Sequence, residues 1–130
     1  MSKTPRPAAD ASPDFVPPWR LRHHHVQSIY PSLPLRRPGV ERRASVLRQA
    51  SREAIVDCGD GVRLLALVAT QADIGRPPTD RLAVLLHGWE GSANSLYLLS
   101  LGQKLFDAGY DVVRLNLRDH GESHHLNAEI

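Results

Sequence analysis

The sequence predicts an α/β chain: an antiparallel hairpin, then a parallel strand-helix-strand unit, with a proline-rich arm ahead of both. Three observations carry that prediction. Residues 53–58 and 62–69 are strand-like runs on either side of Gly59-Asp60-Gly61. Residues 82–86 (LAVLL) are apolar with no polar alternation. Leu98, Leu101, Leu105 and Phe106 then recur at helical spacing ahead of a further strand-like run, Val112 to Leu117.

In chain order, residues 1–16 are rich in Pro, Ala, Ser and Asp without periodicity, which reads as a disordered leader. Residues 17–50 form an arm. Within it Val26, Ile29, Tyr30 and Leu33 line one face of a short helix, which Pro31 and Pro34 stop near Tyr30. Residues 31–40 (PSLPLRRPGV) read as a proline-rich linker. Residues 51–130 form the α/β portion. Its opening hairpin turns at Gly59 and Gly61, since glycine takes positive φ without a side-chain clash. Residues 70–80 read as a polar loop.

The run 82–86 suits a strand buried on both faces, as in a parallel sheet covered by helices. Ser92 or Asn94 is the candidate N-cap of the following helix, and Gly109 sits where a terminating glycine belongs. A strand-helix-strand crossover is right-handed in about 98% of cases and makes its two strands parallel.

Composition is that of a folded chain, with 42% apolar and 23% charged residues. The net charge of +2 divides unevenly: residues 1–52 hold ten Lys/Arg against three acids, and residues 53–130 hold six against eleven. The basic arm invites nucleic acid, but its arginines are scattered with little aromatic interleaving. A solvated arm facing an acidic domain accounts for it, and no nucleic-acid partner is expected. A single cysteine, Cys58, excludes an internal disulfide. No apolar run approaches the ~20 residues of a membrane span, and the first residues lack a signal-peptide core, so a cytoplasmic protein without integral membrane contact is expected. His23-His24-His25 points its rings in different directions on a helix, and neither a metal nor a cofactor is expected.

The chemistry-bearing stretch is His87-Gly88-Trp89-Glu90-Gly91-Ser92, directly after the run 82–86. Glycines there let the backbone turn sharply and present N–H groups at the carboxyl end of a parallel strand, the edge where open α/β sheets bind ligands. Such groups can stabilise an oxyanion in acyl transfer. A plain helix-capping turn, or an anion site at a helix N-terminus, has the same composition.

Strand-HGxxGS-helix resembles the oxyanion loop of the α/β-hydrolases. Arg114-Leu115-Asn116-Leu117-Arg118-Asp119-His120-Gly121-Glu122-Ser123 is similar to that family's exit from the next strand, often R-G-H-G-x-S, with Asp119 where glycine is usual; aspartate tolerates the left-handed backbone that such a turn needs. Pro17-Pro18-Trp19-Arg20-Leu21-Arg22, followed by His25-Val26-Gln27-Ser28 and Pro31-Ser32-Leu33, resembles the amino-terminal signature of the YheT-like branch, with His24 where proline is usual. The resemblance implies the N-terminal portion of an α/β-hydrolase fold. It implies that the Trp89 backbone N–H is one oxyanion donor and that the Trp89 side chain lines the substrate pocket. His87, Gly88, Glu90 and Gly91 then shape the loop.

The family's nucleophile elbow, G-x-S-x-G, does not occur, and none of Ser92, Ser95, Ser100 and Ser123 has its flanking glycines. Ser123 and His124 are adjacent and cannot meet as nucleophile and base. The expectation is therefore a piece of a serine-type carboxylic-ester hydrolase that acts on a small-molecule ester in its full-length form. The alternative is a catalytically inactive fragment or a non-catalytic binding domain of the same fold. Family members with an Asp nucleophile usually carry proline where Glu90 stands, which favours the ester branch. In that fold the strand 82–86 would lie between the strand 112–117 and a fifth strand, so here it is expected to be an open edge prone to aggregation.

Overall fold

The computed structural model describes residues 16–30 and 33–127, so most of the expected leader lies outside the described residues. These residues fall into two compact units divided after Tyr30. The first holds a short 3-10 turn, Trp19–Leu21, and helix α1, His24–Ile29, which ends where the prolines predict. Val26, Ile29 and Tyr30 remain exposed, so the expected apolar face buries little within this unit.

The second unit opens with two helices that correct the linker reading of residues 31–40. A 3-10 turn, Pro34–Arg36, leads into α2, Arg37–Arg43, and α3, Ser45–Ala50. Pro38 lies in the first turn of α2, where a backbone N–H has no helical partner to lose. Val40, Ala44, Leu47 and Ala50, spaced four, three and three residues apart, form the buried stripe of the pair.

Four strands follow: β1 (Arg52–Asp57), β2 (Arg63–Ala69), β3 (Leu82–Leu86) and β4 (Asp111–Leu115). They form one mixed sheet in the order β1-β2-β4-β3. β1 and β2 are the expected hairpin. Its turn carries Gly59, Asp60 and Gly61 at φ 83°, 51° and 78°, with the Asp57 carboxylate accepting the Gly59 N–H. β2 runs antiparallel to β4, and β4 runs parallel to β3.

The loop after β2 is more ordered than its polar composition suggests. Thr70 and Asp73 form a reciprocal cap on a 3-10 turn, Gln71–Ile74. The Thr70 hydrogen bonds hold the Asp73 carboxyl below the usual carboxylate range. Gln71 is buried and donates to the carbonyls of Phe106 and Tyr110, tying the loop to the end of the crossover helix.

That crossover is α4, Leu96–Asp107. Its N-cap is Ser95 rather than Ser92 or Asn94. The Ser92 hydroxyl is spent on the Asn94 N–H, and the Ser95 hydroxyl accepts the Ser92 N–H, so the loop closes on itself before the helix starts. Gly109 follows the helix at φ 87°, as expected. Leu98 and Phe106 are buried while Leu101 faces solvent, so the stripe is rotated from the expected one towards Leu99, Gly102 and Gln103. At Gly102 a Cβ would lie 2.9 Å from Leu47, so this position sets how closely α3 approaches α4.

Leu47, Ala50, Ala69, Leu85, Leu98, Phe106 and Val112 form the main core between the sheet and helices α3 and α4. Val40, Ala44 and Leu99 form a second core between α2 and α4. A β3 buried on both faces, the arrangement its pattern suits, is not found, whereas the open edge expected for this strand is. Leu82, Val84 and Leu86 are 61%, 55% and 55% exposed, because no described element covers that face of the sheet. β3 is also an outer strand, hydrogen-bonded only to β4 among the described residues.

Candidate functional site

Because β3 and β4 are parallel, the segments leaving them emerge side by side at one edge of the sheet. The first is residues 87–95 and the second is residues 116–126. His87 joins them. Its ring is 5% exposed, and its Nε2 accepts the Leu117 N–H at 3.0 Å. That acceptor role requires the proton on Nδ1, which lies 2.8 Å from the Gly88 carbonyl and donates to it. The His120 ring packs 5.0 Å away. Both His87 nitrogens are thus committed to backbone groups, and the residue works as a clamp between two loops rather than as a base.

Residues 88–91 form the turn. The Gly88 carbonyl accepts the Gly91 N–H at 3.0 Å, and the Gly88 N–H donates to the Tyr97 hydroxyl at 2.6 Å, anchoring the turn to α4. Glu90 takes φ 55°, a left-handed conformation that glycine adopts more readily. Gly91 is needed for space: a Cβ there would sit 3.0 Å from both the Gly88 carbonyl oxygen and the His87 Cβ. Trp89 occupies the tip of the turn. No acceptor among the described residues takes its backbone N–H, and its side chain is 92% exposed. The ring expected to line a pocket stands in solvent in this structure.

Two residues that the sequence reading did not give a role in the site, one in β4 and one directly after it, hold the loop from below. Asn116 accepts the Ala93 N–H at 2.7 Å. Arg114, 1% exposed, donates to the Ala93 carbonyl at 3.0 Å, the Asn94 side-chain oxygen at 3.2 Å and the Ser51 hydroxyl at 2.9 Å. Among the described residues no carboxylate pairs with it, and its Nε has no hydrogen-bond partner. Burial, with a smaller contribution from the charge of Arg48, pushes the guanidinium down to about 10, so it remains a cation at neutral pH. The available signal was a polar residue at alternate positions, 114 and 116, of an otherwise apolar strand.

In the second loop Asp119 takes φ 59°, in the left-handed region that aspartate tolerates better than most residues. Gly121 follows at φ 62°, with the Asn116 side-chain oxygen 2.7 Å from where its Cβ would be. Ser123 is buried, and its hydroxyl donates to the His120 carbonyl, so it forms no pair with His124. No described hydroxyl is hydrogen-bonded to a histidine nitrogen. No group of three or more metal-ligating side chains occurs among the described residues, and no described helix is long and apolar enough to cross a membrane.

Comparison with protein-family models, curated proteins and solved structures returns no match. The chemistry of the site therefore rests on its own geometry. Among the described residues the turn offers backbone N–H groups with no acceptor, those of Trp89 and Glu90, at the carboxyl edge of a parallel strand pair, braced by His87, Tyr97, Arg114 and Asn116. Such groups can hold a partial negative charge. Among the described residues nothing beside them can attack a carbonyl carbon with base assistance.

Proposed function

We propose that this chain is part of an α/β-hydrolase-type carboxylic-ester hydrolase, in which it supplies the oxyanion loop and Trp89 donates its N–H to the developing oxyanion. The observation that carries the reading is the uncommitted Trp89 N–H on a turn locked to the neighbouring loop by His87. A donor fixed before the reaction stabilises charge without reorganisation at the barrier. Losing one such donor typically costs ~2.7–4 kcal/mol. The left-handed Asp119 adds support, since it keeps the turn that the R-G-H-G-x-S resemblance implies. The nucleophile, acid and base would come from outside the residues described, and the substrate would be a small-molecule ester.

Two experiments test this. Translation of the genomic DNA beyond the Ile130 codon is expected to reveal a G-x-S-x-G segment followed by Asp and His. A locus without such a segment contradicts the ester-hydrolase reading and favours a non-catalytic domain. The purified chain is expected to be inactive on p-nitrophenyl esters. Turnover above background that is lost on replacing one of its serines would show that the chain carries its own nucleophile, contrary to the proposal.

A further inference from the structure

The outer side of the α2–α4 pair carries a groove that the hydrolase reading does not use. It consists of two adjoining hollows of about 240 and 270 Å³ that meet at Val40, Ser100 and Lys104. The first is walled by Val40, Leu96, Tyr97 and Leu101, with Arg36 at its end. The second runs past Ala44 to Arg43 and Asp107. The floor is apolar and the rim is cationic. Lys104 and Arg43 have no ion-pair partner among the described residues. The single carboxylate on the rim, Asp107, already accepts from Gln103 at 2.8 Å.

We propose that this groove binds an aliphatic carboxylate of medium chain length, with the carboxylate between Lys104 and Arg43 and the chain along Val40, Leu96 and Leu101. Charge complementarity selects the headgroup. A small inorganic anion gains little from exposed cations in water, so the apolar floor must supply most of the affinity. Each methylene removed from water there strengthens binding about fourfold. A cationic amphiphile would meet the same floor but the wrong rim. The inference stands apart from the hydrolase reading, because it uses neither the Trp89 N–H nor any nucleophile.

The test is calorimetric titration of the full chain with decanoate below its micelle concentration. Hexanoate, decyltrimethylammonium and a vesicle suspension of zwitterionic lipid serve as comparisons. One saturable site is expected for decanoate, weaker for hexanoate and absent for the cation. Lys104→Gln with Arg43→Gln should weaken decanoate by roughly fivefold or more. Leu101→Glu, at an exposed position on the wall, should abolish binding while circular dichroism stays unchanged. Equal binding of the cationic amphiphile would overturn the proposal, as would decanoate binding indifferent to these variants. Absence of a saturable site, or association with vesicles alone, would overturn it too.

Discussion

Replacing His87 by alanine probes the brace on which the site depends. The substitution removes the acceptor 3.0 Å from the Leu117 N–H and the donor to the Gly88 carbonyl. It also leaves a space where a nearly buried ring packs against His120. An unsatisfied backbone N–H costs ~1–3 kcal/mol when buried; Leu117 is partly exposed, so the lower part of that range applies. Water can satisfy the Gly88 carbonyl at an exposed turn. Lost packing adds about 1 kcal/mol. The total is about 2–3 kcal/mol, measured as a fall in the urea midpoint at unchanged slope. His87→Gln can present a side-chain oxygen to the same N–H and should lose about half as much. A loss below about 0.5 kcal/mol for alanine, or equal losses for alanine and glutamine, would refute the clamp.

Other perturbations follow from the same geometry. Glu90→Gly relieves a left-handed residue and should stabilise the chain by about 0.5–1 kcal/mol in urea titration, after the added flexibility of the unfolded glycine is counted. Arg114→Met strands the Ala93 carbonyl and frees the Asn94 side chain, and should cost about 2 kcal/mol even though it removes a buried charge. Asp73 has a folded-state pKa below its unfolded value, so its contribution is present above the usual carboxylate range and lost as pH falls through the folded value. NMR titration should find its pKa below 3.8, and Thr70→Val should return it towards that value. Threonine at Leu82, Val84 and Leu86 should reduce self-association in analytical ultracentrifugation with little change in thermal stability, since these side chains are already half in water.

Much of the fold was legible because it depends on local rules. The run 82–86 and the glycine turn at 59–61 located three strands, and Gly109 marked the end of α4. Helices α2 and α3 were not legible because proline was read as a breaker, whereas Pro38 occupies the one helical turn that tolerates it. The stripe from Val40 to Ala50 was present but divided between a supposed linker and an arm. β3 was legible as a strand and as an open edge, but not from its pattern alone. Its lack of alternation encodes two apolar faces, and a sequence cannot say whether both are covered. At the site, the glycines of the HGWEGS turn were legible from composition. The roles of Tyr97, Arg114 and Asn116 were not, since each depends on how closely β4 and α4 approach the turn.

The central claim is that the turn is held rigid while its Trp89 N–H is left free. Residue-resolved amide hydrogen exchange of the intact chain measures both halves at once. Leu117 and Ala93, whose N–H groups are held by His87 and Asn116, should be protected, while Trp89 should exchange at the rate of an unstructured amide. Strong protection of Trp89 would mean that its N–H already has an acceptor and is not available to an oxyanion. Unprotected Leu117 and Ala93 would mean that the brace is not formed.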